Sequence, residues 1–431
     1  MGEILSRNRN GRQQPLYNDG MPTPSIYLDN NATTPIDPRV VEAMTECYRR
    51  FPGNPASQHA AGRAARRALE EAREEIGGIL GAKLGAPQPD RVIFTSGATE
   101  ANNLAIRGIL GGWRVGMSES HGAPHVIVSA IEHPSISGVA DQLATEGVQV
   151  SQLPVSRGGV VKLEELPAML TPQTRLVCIM LGSNETGALQ PVAEAAAICR
   201  AANVPLHCDA VQVAGKLPVD FRALGASMLS VSAHKFHGPR GVGALLVHGK
   251  TPLAPLFFGG FQQAGLRPGS EPVALAVGLA TALKLWREEA AQRAARMQQL
   301  RDQFESLLRT GIADLVIHAQ AAPRLPHASH LAFPGLDRQA LLMALDLAGV
   351  ACSAGSSCAS GSSELSPTLL AMGVSRELAA SSLRFSFSAF STAEELGEAA
   401  GRILKTYNDL RRLSERPNSS LPPPALAAKP V

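Results

Sequence analysis

Aromatic residues, paired cysteines, long apolar runs and dense clusters of one charge are all scarce in this 431-residue chain. Its six cysteines form neither a C-x-x-C pair nor an even framework, which argues against zinc ribbons and secreted disulfide scaffolds, and no metal site is expected. No stretch approaches the ~18 apolar residues that span a bilayer, and residues 1–24 lack the apolar segment of a signal peptide. The net charge of +3, without a Lys/Arg cluster among aromatics, does not indicate direct nucleic-acid binding. We therefore expect no membrane association and a reducing, cytoplasmic location.

The chain does contain enough apolar sequence for a large core, because 45% of its residues are hydrophobic and only 18% are charged. This length predicts more than one domain. We expect a large domain over residues 38–290 and a smaller α+β domain formed by 25–37 and 291–414. The polar start, 1–24, and the Pro/Ser/Ala-rich end, 415–431, are expected to be disordered tails.

Short apolar runs alternate with helical patterns between residues 91 and 247. This alternation predicts an α/β fold with a mostly parallel sheet covered on both faces. In such sheets a ligand site lies at the carboxyl ends of the strands. The polar residues at those ends, which one sheet would bring to a single crevice, are Thr99, His133, Asn184, Asp209, Gln212, Ser232, His234 and Lys235.

A turn of small and hydroxyl residues, TSGATE at 95–100, links a strand to a helix expected over 101–110. Such a turn offers a phosphate group free N–H donors, a helix N-terminus and no bulky side chains. Ala98 and Thr99 lie at its centre. Because G-x-G-x-x-G is absent, a dinucleotide site is not indicated, although many plain turns have the same composition.

Lys235 ends the pattern Ser-x-His-Lys between two apolar runs, 228–231 and 243–247. A strand, a Gly/Pro-rich turn and a second strand would present its amine at a fixed point, as a Schiff-base lysine requires. The alternative is an ordinary turn with a solvated lysine.

Three further residues have a chemical and a structural interpretation. Asp209, at a strand end, is suited to pair with a protonated pyridine nitrogen, but it is also suited to cap a helix. His133 is suited to stack on a ring or move protons, or it is a structural histidine. Arg384 lies among small and apolar residues, so it needs an anionic partner, either a substrate carboxylate or an internal acid.

Cys358 lies in a Ser/Gly-rich stretch, 353–363, from which no packed element is expected. A thiol in such a loop is suited to act as an accessible nucleophile that reaches into a cleft. Cys352 is expected to pack beside Val350 and Ala351, and the other four cysteines are expected in the core.

Several motifs together resemble the cysteine desulfurases of the class V, fold type I, pyridoxal-phosphate aminotransferase-like superfamily, in the nitrogen-fixation and housekeeping branch. The resemblance extends from about Tyr27 to Leu413. Its motifs, in chain order, are YLDNNATTP at 27–35, GNPAS at 53–57, FTSGATE at 94–100, EH at 132–133, NETG at 184–187, HCDAVQ at 207–212, SAHK at 232–235 and the Cys358 loop.

The resemblance implies a large domain with a mostly parallel seven-stranded sheet and a smaller α+β domain. It also implies a homodimer that binds pyridoxal 5'-phosphate. Lys235 would hold the cofactor as a Schiff base, Asp209 would pair with the pyridine nitrogen and Gln212 with the ring oxygen, and His133 would stack on the ring. The phosphate would be bound at Ala98, Thr99, Ser232 and His234, together with Ser270 of the partner subunit.

The resemblance further implies conversion of L-cysteine to L-alanine. Asn184 and Arg384 would hold the substrate carboxylate, and Asn184 is also expected near the cofactor. Cys358 would accept the sulfur as a persulfide, for delivery to an iron–sulfur scaffold or another sulfur acceptor, including tRNA thiolation. The alternatives are selenocysteine lyase, another class V aminotransferase reaction, and a non-catalytic relative that keeps the fold.

Overall fold

A computed structural model describes residues 25–114, 122–355 and 364–414. The strands are β1 Ile26–Tyr27, β2 Arg91–Thr95, β3 His125–Ser129, β4 Gln149–Leu153, β5 Thr174–Cys178, β6 Leu206–Asp209, β7 Met228–Ser232, β8 Gly243–Val247, β9 Val316–Ile317, β10 Ala328–Ala332, β11 Val350–Ala351 and β12 Ser382–Ser386. The helices are α1 Pro38–Arg50, α2 Ala60–Ile79, α3 Ala98–Arg114, α4 Pro134–Thr145, α5 Leu166–Met169, α6 Val192–Ala201, α7 Phe221–Leu224, α8 Val273–Gly311, α9 Arg338–Leu347, α10 Pro367–Ala371, α11 Arg376–Ala380 and α12 Ala393–Ser414.

A seven-stranded sheet with the order β2-β8-β7-β6-β5-β3-β4 is the centre of the fold. Strand β8 is antiparallel to both of its neighbours, β2 and β7, and the other pairs are parallel. All five residues of β3, β7 and β8 are buried, as expected for strands covered on both faces. The predicted α/β fold with a mostly parallel seven-stranded sheet is therefore confirmed.

Alternate residues of a strand belong to different hydrophobic clusters on the two faces of this sheet. Val92 and Phe94 of β2 pack into one cluster with α2 and α8, whereas Ile93 packs into another with α3 and α4. The two-residue period of a strand produces this division. The carboxyl ends of the parallel strands are left between the two layers, where a site can form.

A second unit contains the antiparallel sheet β12-β10-β9 and the parallel pair β1-β11. Its core includes Ile26 and Leu28 from the start of the described chain and residues from Leu300 to Tyr407. The 39-residue helix α8 contributes to this core and to that of the large sheet, and it runs without interruption across the expected boundary at residue 290. The domain boundaries stay a prediction.

Local sequence explains the helix starts that shape the site. Asp37 accepts a hydrogen bond from Arg39 N and precedes Pro38 at the first position of α1. His133 does the same for α4, where Pro134 follows it. Helix α3 begins at Ala98, three residues before the expected start at residue 101. None of the described helices combines the length and apolarity that a membrane crossing needs.

Candidate active site

A cavity of about 520 Å³ opens at the carboxyl ends of β5, β6 and β7 and the start of α3. Nine of the twelve expected site residues line it, so the sheet brings them together as the strand order requires. They are Ala98, Thr99, His133, Asn184, Asp209, Gln212, Ser232, His234 and Lys235.

Lys235 ends a single turn of 3-10 helix, 233–235, directly after β7. Its amine donates hydrogen bonds to the carbonyl oxygens of Asn31 at 2.6 Å and Ala32 at 2.9 Å. Burial and, after it, the positive charge of Arg384 lower the pKa of this amine to about 8, while Asp209 opposes the shift. Near neutral pH, a much larger fraction of this amine is therefore neutral and nucleophilic than of a solvated lysine.

Asp209 is the last residue of β6, and its carboxylate is held from two directions. Oδ1 accepts a hydrogen bond from Val211 N at 2.9 Å, and Oδ2 accepts one from Asn102 Nδ2 at 2.8 Å. The sequence could not separate a cap from a chemical group. The structure places this acid in the cavity wall, and no helix of the described chain begins directly after it.

His133 combines both of its sequence interpretations, because it caps α4 and also lines the cavity. Its Nδ1 accepts a hydrogen bond from Ser135 N at 3.1 Å and lies 2.9 Å from Ser135 Oγ. Burial lowers the pKa of the imidazole, as does the charge of Lys235, while Asp209 raises it. The lowered pKa favours a neutral ring at physiological pH, and Nδ1 is the nitrogen that contacts Ser135.

The other end of the cavity has the character of an anion site. Ser96, Gly97, Ala98 and Thr99 line it at the start of α3, where the first N–H groups of a helix have no intrahelical acceptor. Two residues from the Lys235 segment, Ser232 and His234, complete this end. Burial lowers the pKa of His234 to about 4, helped by Lys235, so an anion bound here would meet a neutral imidazole.

Sequence reasoning gave no role to Thr33 and Arg240, which also line the cavity at this end. Thr33 Oγ1 lies 3.2 Å from His234 Nδ1. Arg240 supplies an exposed cation beside it. Thr33 lies within the quoted motif at 27–35, which was a usable signal, whereas Arg240 lies five residues after Lys235 and outside every quoted motif.

The backbone carbonyl of Asn31 connects Gln212 to Lys235. Gln212 Nε2 donates to Asn31 O at 3.0 Å, which also accepts from Lys235 Nζ. Beneath it, the buried amine of Lys216 donates to both oxygens of Gln212, at 3.1 and 3.2 Å. Burial holds the pKa of Lys216 well below its usual value, and the charges of Lys235 and Arg384 add to this effect.

Arg384 is not among the residues that line the cavity as the structure describes it. Its Nη1 donates to Asn184 O at 3.0 Å, so it lies directly behind the Asn184 wall. Its Nη2 makes an ion pair of 2.7 Å with Asp29, and its buried Nε has no partner among the described residues. Asp29 is therefore the internal acid that the sequence left as one of two possible partners for Arg384. Asn184 separates the guanidinium from the cavity.

Two other expected residues are not brought to the cavity by the described chain. Ser270 is exposed and is not part of the lining. Cys358 lies outside the described residues. Cys352 is only partly buried but packs against the small-unit core as expected, and burial raises the pKa of its thiol. The remaining four cysteines, Cys47, Cys178, Cys199 and Cys208, are buried as predicted.

Comparison with known proteins agrees with this geometry. The family model "Aminotransferase class-V" matches residues 26–398. A cysteine desulfurase IscS from Dictyoglomus turgidum is 38% identical over 389 residues, which cover 90% of this chain and 96% of the relative. The cysteine desulfurase IscS from Rickettsia bellii is 38% identical over 394 residues, with 90% and 92% covered.

Solved structures give the same result. A "NIFS-like protein" superposes with a TM-score of 0.80 at 34% identity and covers 89% of this chain and 100% of its own. DndA from Streptomyces lividans has a TM-score of 0.68 at 38% identity, covering 84% and 99%.

The fold and the lysine-containing cavity thus define a class V aminotransferase-type protein, and the chain belongs to that family. Within it, the chain belongs to the cysteine desulfurases. Proteins of this class depend on pyridoxal phosphate. The donor set fits that cofactor: an amine with a lowered pKa, a fixed carboxylate at a strand end and the start of α3 line one cavity.

Proposed function

We propose that this protein is a pyridoxal-phosphate-dependent cysteine desulfurase, which converts L-cysteine to L-alanine and transfers the sulfur to its own Cys358. The observation that carries the proposal is the placement of Lys235 and Asp209 in one cavity, with a lysine pKa lowered to about 8. This pairing is what a carbonyl cofactor with a pyridine nitrogen requires.

Each group has a place in the cavity that suits its proposed role. Lys235 is the residue to hold the cofactor, Asp209 would pair with its ring nitrogen and Gln212 with its ring oxygen. His133 would meet the ring face. The phosphate would occupy the anion site formed by the start of α3 with Ser232 and His234, because a helix start offers backbone N–H donors to an anion.

When bound, pyridoxal phosphate supplies an electron sink that stabilises negative charge at the substrate Cα. The chain supplies the proton transfers. The Lys235 amine, once free and neutral, is positioned to remove the Cα proton, because the carbonyls of Asn31 and Ala32 fix its direction. His133, which lines the cavity, is the other group suited to move a proton there.

The substrate carboxylate would be held by Asn184 and Arg384. Since Arg384 contacts Asp29 and Asn184 O in the described structure, substrate binding requires the guanidinium to share or exchange the Asp29 contact. An arginine provides two parallel donors for a carboxylate, which a lysine does not.

The sulfur transfer needs no external oxidant. The Cys358 thiolate forms an S–S bond with the substrate sulfur as the substrate C–S bond breaks, and the bonding electrons stay with carbon. Protonation of that carbon gives alanine, and Cys358 is left as a persulfide. The two electrons that reduce the carbon come from the sulfur atoms, so Cys358 is left in the oxidised, persulfide form.

The described chain on both sides of residues 356–363 supports this role for Cys358. A Cβ at Gly355 would lie 2.8 Å from Oε2 of Glu185, and Ser366 Oγ donates to the same oxygen at 2.5 Å. Glu185 follows Asn184 of the cavity wall. Cys358 follows Gly355 by three positions in the sequence, and three residues of fully extended chain span at most about 10 Å.

A homodimer completes the proposal. Phe258 and Phe261 are 89% and 92% exposed and precede Ser270 by 12 and 9 positions in the sequence, and Ser270 lies outside its own chain's cavity. Large exposed aromatics favour association, and a second copy would place Ser270 at the partner's phosphate.

The persulfide would pass to a sulfur acceptor such as an iron–sulfur scaffold protein. A catalytic thiol requires a reducing compartment, and we therefore propose a cytoplasmic location. One relative, from Dictyostelium discoideum, is named a probable mitochondrial cysteine desulfurase.

The decisive experiment incubates the purified protein, loaded with pyridoxal phosphate, with L-cysteine and measures alanine and total sulfide. We expect wild type and Cys352→Ala, the matched cysteine control, to form both products. Cys358→Ala should retain the visible absorbance of the lysine-bound cofactor and form no alanine, whereas Lys235→Ala should lose both. Alanine formation that does not depend on Cys358 would favour a lyase, and no cofactor absorbance at all would favour a non-catalytic relative.

A further inference from the structure

Asn102 is completely buried in the second turn of α3, one layer behind the cavity. Its amide nitrogen donates one hydrogen bond to Asp209 Oδ2 and one to Ser135 Oγ, both at 2.8 Å. An amide NH₂ has two hydrogens, so both are used. A single side chain thus connects a strand end, β6, to the first turn of α4.

His207 fixes the direction of this amide. Its Nε2 lies 2.9 Å from Asn102 Oδ1 and 3.5 Å from Ser230 Oγ, so the amide oxygen is its nearer partner. Burial lowers the pKa of His207 to about 4, so the ring is neutral at physiological pH. Because a carbonyl oxygen only accepts, the ring hydrogen must be on Nε2. Rotation of the amide would place its oxygen against the Asp209 carboxylate.

Ser135 extends the connection to His133. Its hydroxyl oxygen accepts from Asn102, so its hydrogen is free to point to His133 Nδ1, 2.9 Å away. Ser135 N donates to the same nitrogen. His133 Nδ1 is therefore an acceptor, and a neutral His133 carries its hydrogen on Nε2.

We propose that Asn102 is a positioning residue for the cofactor site: one buried amide, held in a single orientation by His207, fixes both Asp209 and His133. The inference rests on the proposed function, because those two residues are the ones that would meet the cofactor ring. No other neutral side chain of this length offers two donors and an acceptor at one point. An aspartate at 102 would place a second carboxylate against Asp209.

Asn103 is the matched control, since it is adjacent on α3 but its Nδ2 donates only to Thr99 O at the surface. Asn102→Ala should weaken binding of pyridoxal phosphate to the apoprotein about tenfold or more, since a hydrogen bond to a charged group is lost. The pH at which the bound cofactor changes colour should move by about one unit, because Asp209 is less firmly placed. Asn103→Ala should change neither quantity. A merely structural role would lower the melting temperature and leave this pH unchanged.

A second measurement needs no cofactor. Nitrogen-15 NMR of histidine-labelled apoprotein reports which ring nitrogen carries the hydrogen, with the His207 signal assigned by its loss in His207→Phe. We expect the neutral Nε2–H form for His207. The Nδ1–H form would overturn the inference whether or not Asn102→Ala folds, and so would unchanged cofactor affinity and titration in Asn102→Ala. Wild-type protein that binds no pyridoxal phosphate would refute the proposed function instead, and would leave the NMR result to decide the amide orientation.

Discussion

The lowered pKa of Lys235 predicts how quickly the apoprotein captures its cofactor at each pH. Only the neutral amine attacks an aldehyde. With a pKa of about 8, about one tenth of the amine is neutral at pH 7. A solvated lysine with a pKa of about 10.4 would be neutral in only about one molecule in 2,500. The buried position therefore increases the reactive fraction by a factor of roughly 200–300.

Stopped-flow mixing of apoprotein with pyridoxal phosphate measures this directly from the visible absorbance. The second-order rate should rise about tenfold per pH unit below pH 7 and level off above pH 8. The control is Nα-acetyl-lysine amide, whose side-chain amine is free and solvated. Its rate under the same conditions should still be rising at pH 10. Arg384→Gln should move the protein's midpoint upward, because the positive charge that lowers the lysine pKa is removed while Asp29 remains. A protein rate that follows the control through pH 10 would refute the reasoning.

Two further predictions concern stability. Gly215 has φ of +73°, and a Cβ there would lie 2.2 Å from Phe236 Cβ, so Gly215→Ala should lower the free energy of unfolding by about 3 kcal/mol. Gly147 has φ of +87° but open space around it, so Gly147→Ala measures the backbone cost without the steric clash. Its free energy of unfolding in urea should fall by only about 1 kcal/mol. Equal losses in the two variants would contradict the steric argument. Burial raises the pKa of Glu132 to about 8 from 4.5, so ionisation of the unfolded chain removes stability between those pH values, by about 1.4 kcal/mol per unit. Glu132→Gln should lack that loss, so its unfolding free energy should gain on wild type as pH rises from 5 to 8; parallel curves would contradict the burial of the acid.

The residues that the sequence placed at one crevice, and that line the cavity, share a local signal. Lys235 and Asp209 each follow a short strand-like run, and the rule that sites lie at the carboxyl ends of parallel strands was enough to bring them together. The alternation of apolar runs with helical patterns between residues 91 and 247 was likewise enough to predict the mostly parallel sheet.

What the sequence did not reveal depends on contacts between distant segments. Asn102 looks like an ordinary polar residue of a helix, and only the packing of α3 against β6 makes it a buried donor. The ion pair of Arg384 with Asp29 joins residues 355 positions apart. Strands β1 and β11 have two residues each and pair across more than 300 residues, so neither has a periodic pattern to detect.

The central claim is that this chain moves sulfur from free cysteine to Cys358. The most direct test treats the cofactor-loaded protein with one equivalent of L-cysteine, alkylates it and locates added sulfur by fragmentation mass spectrometry. The account predicts one extra sulfur atom on Cys358, none on Cys352, and an equal amount of alanine. Alanine formed with no sulfur on Cys358, or added sulfur on Cys352 in its place, would contradict it.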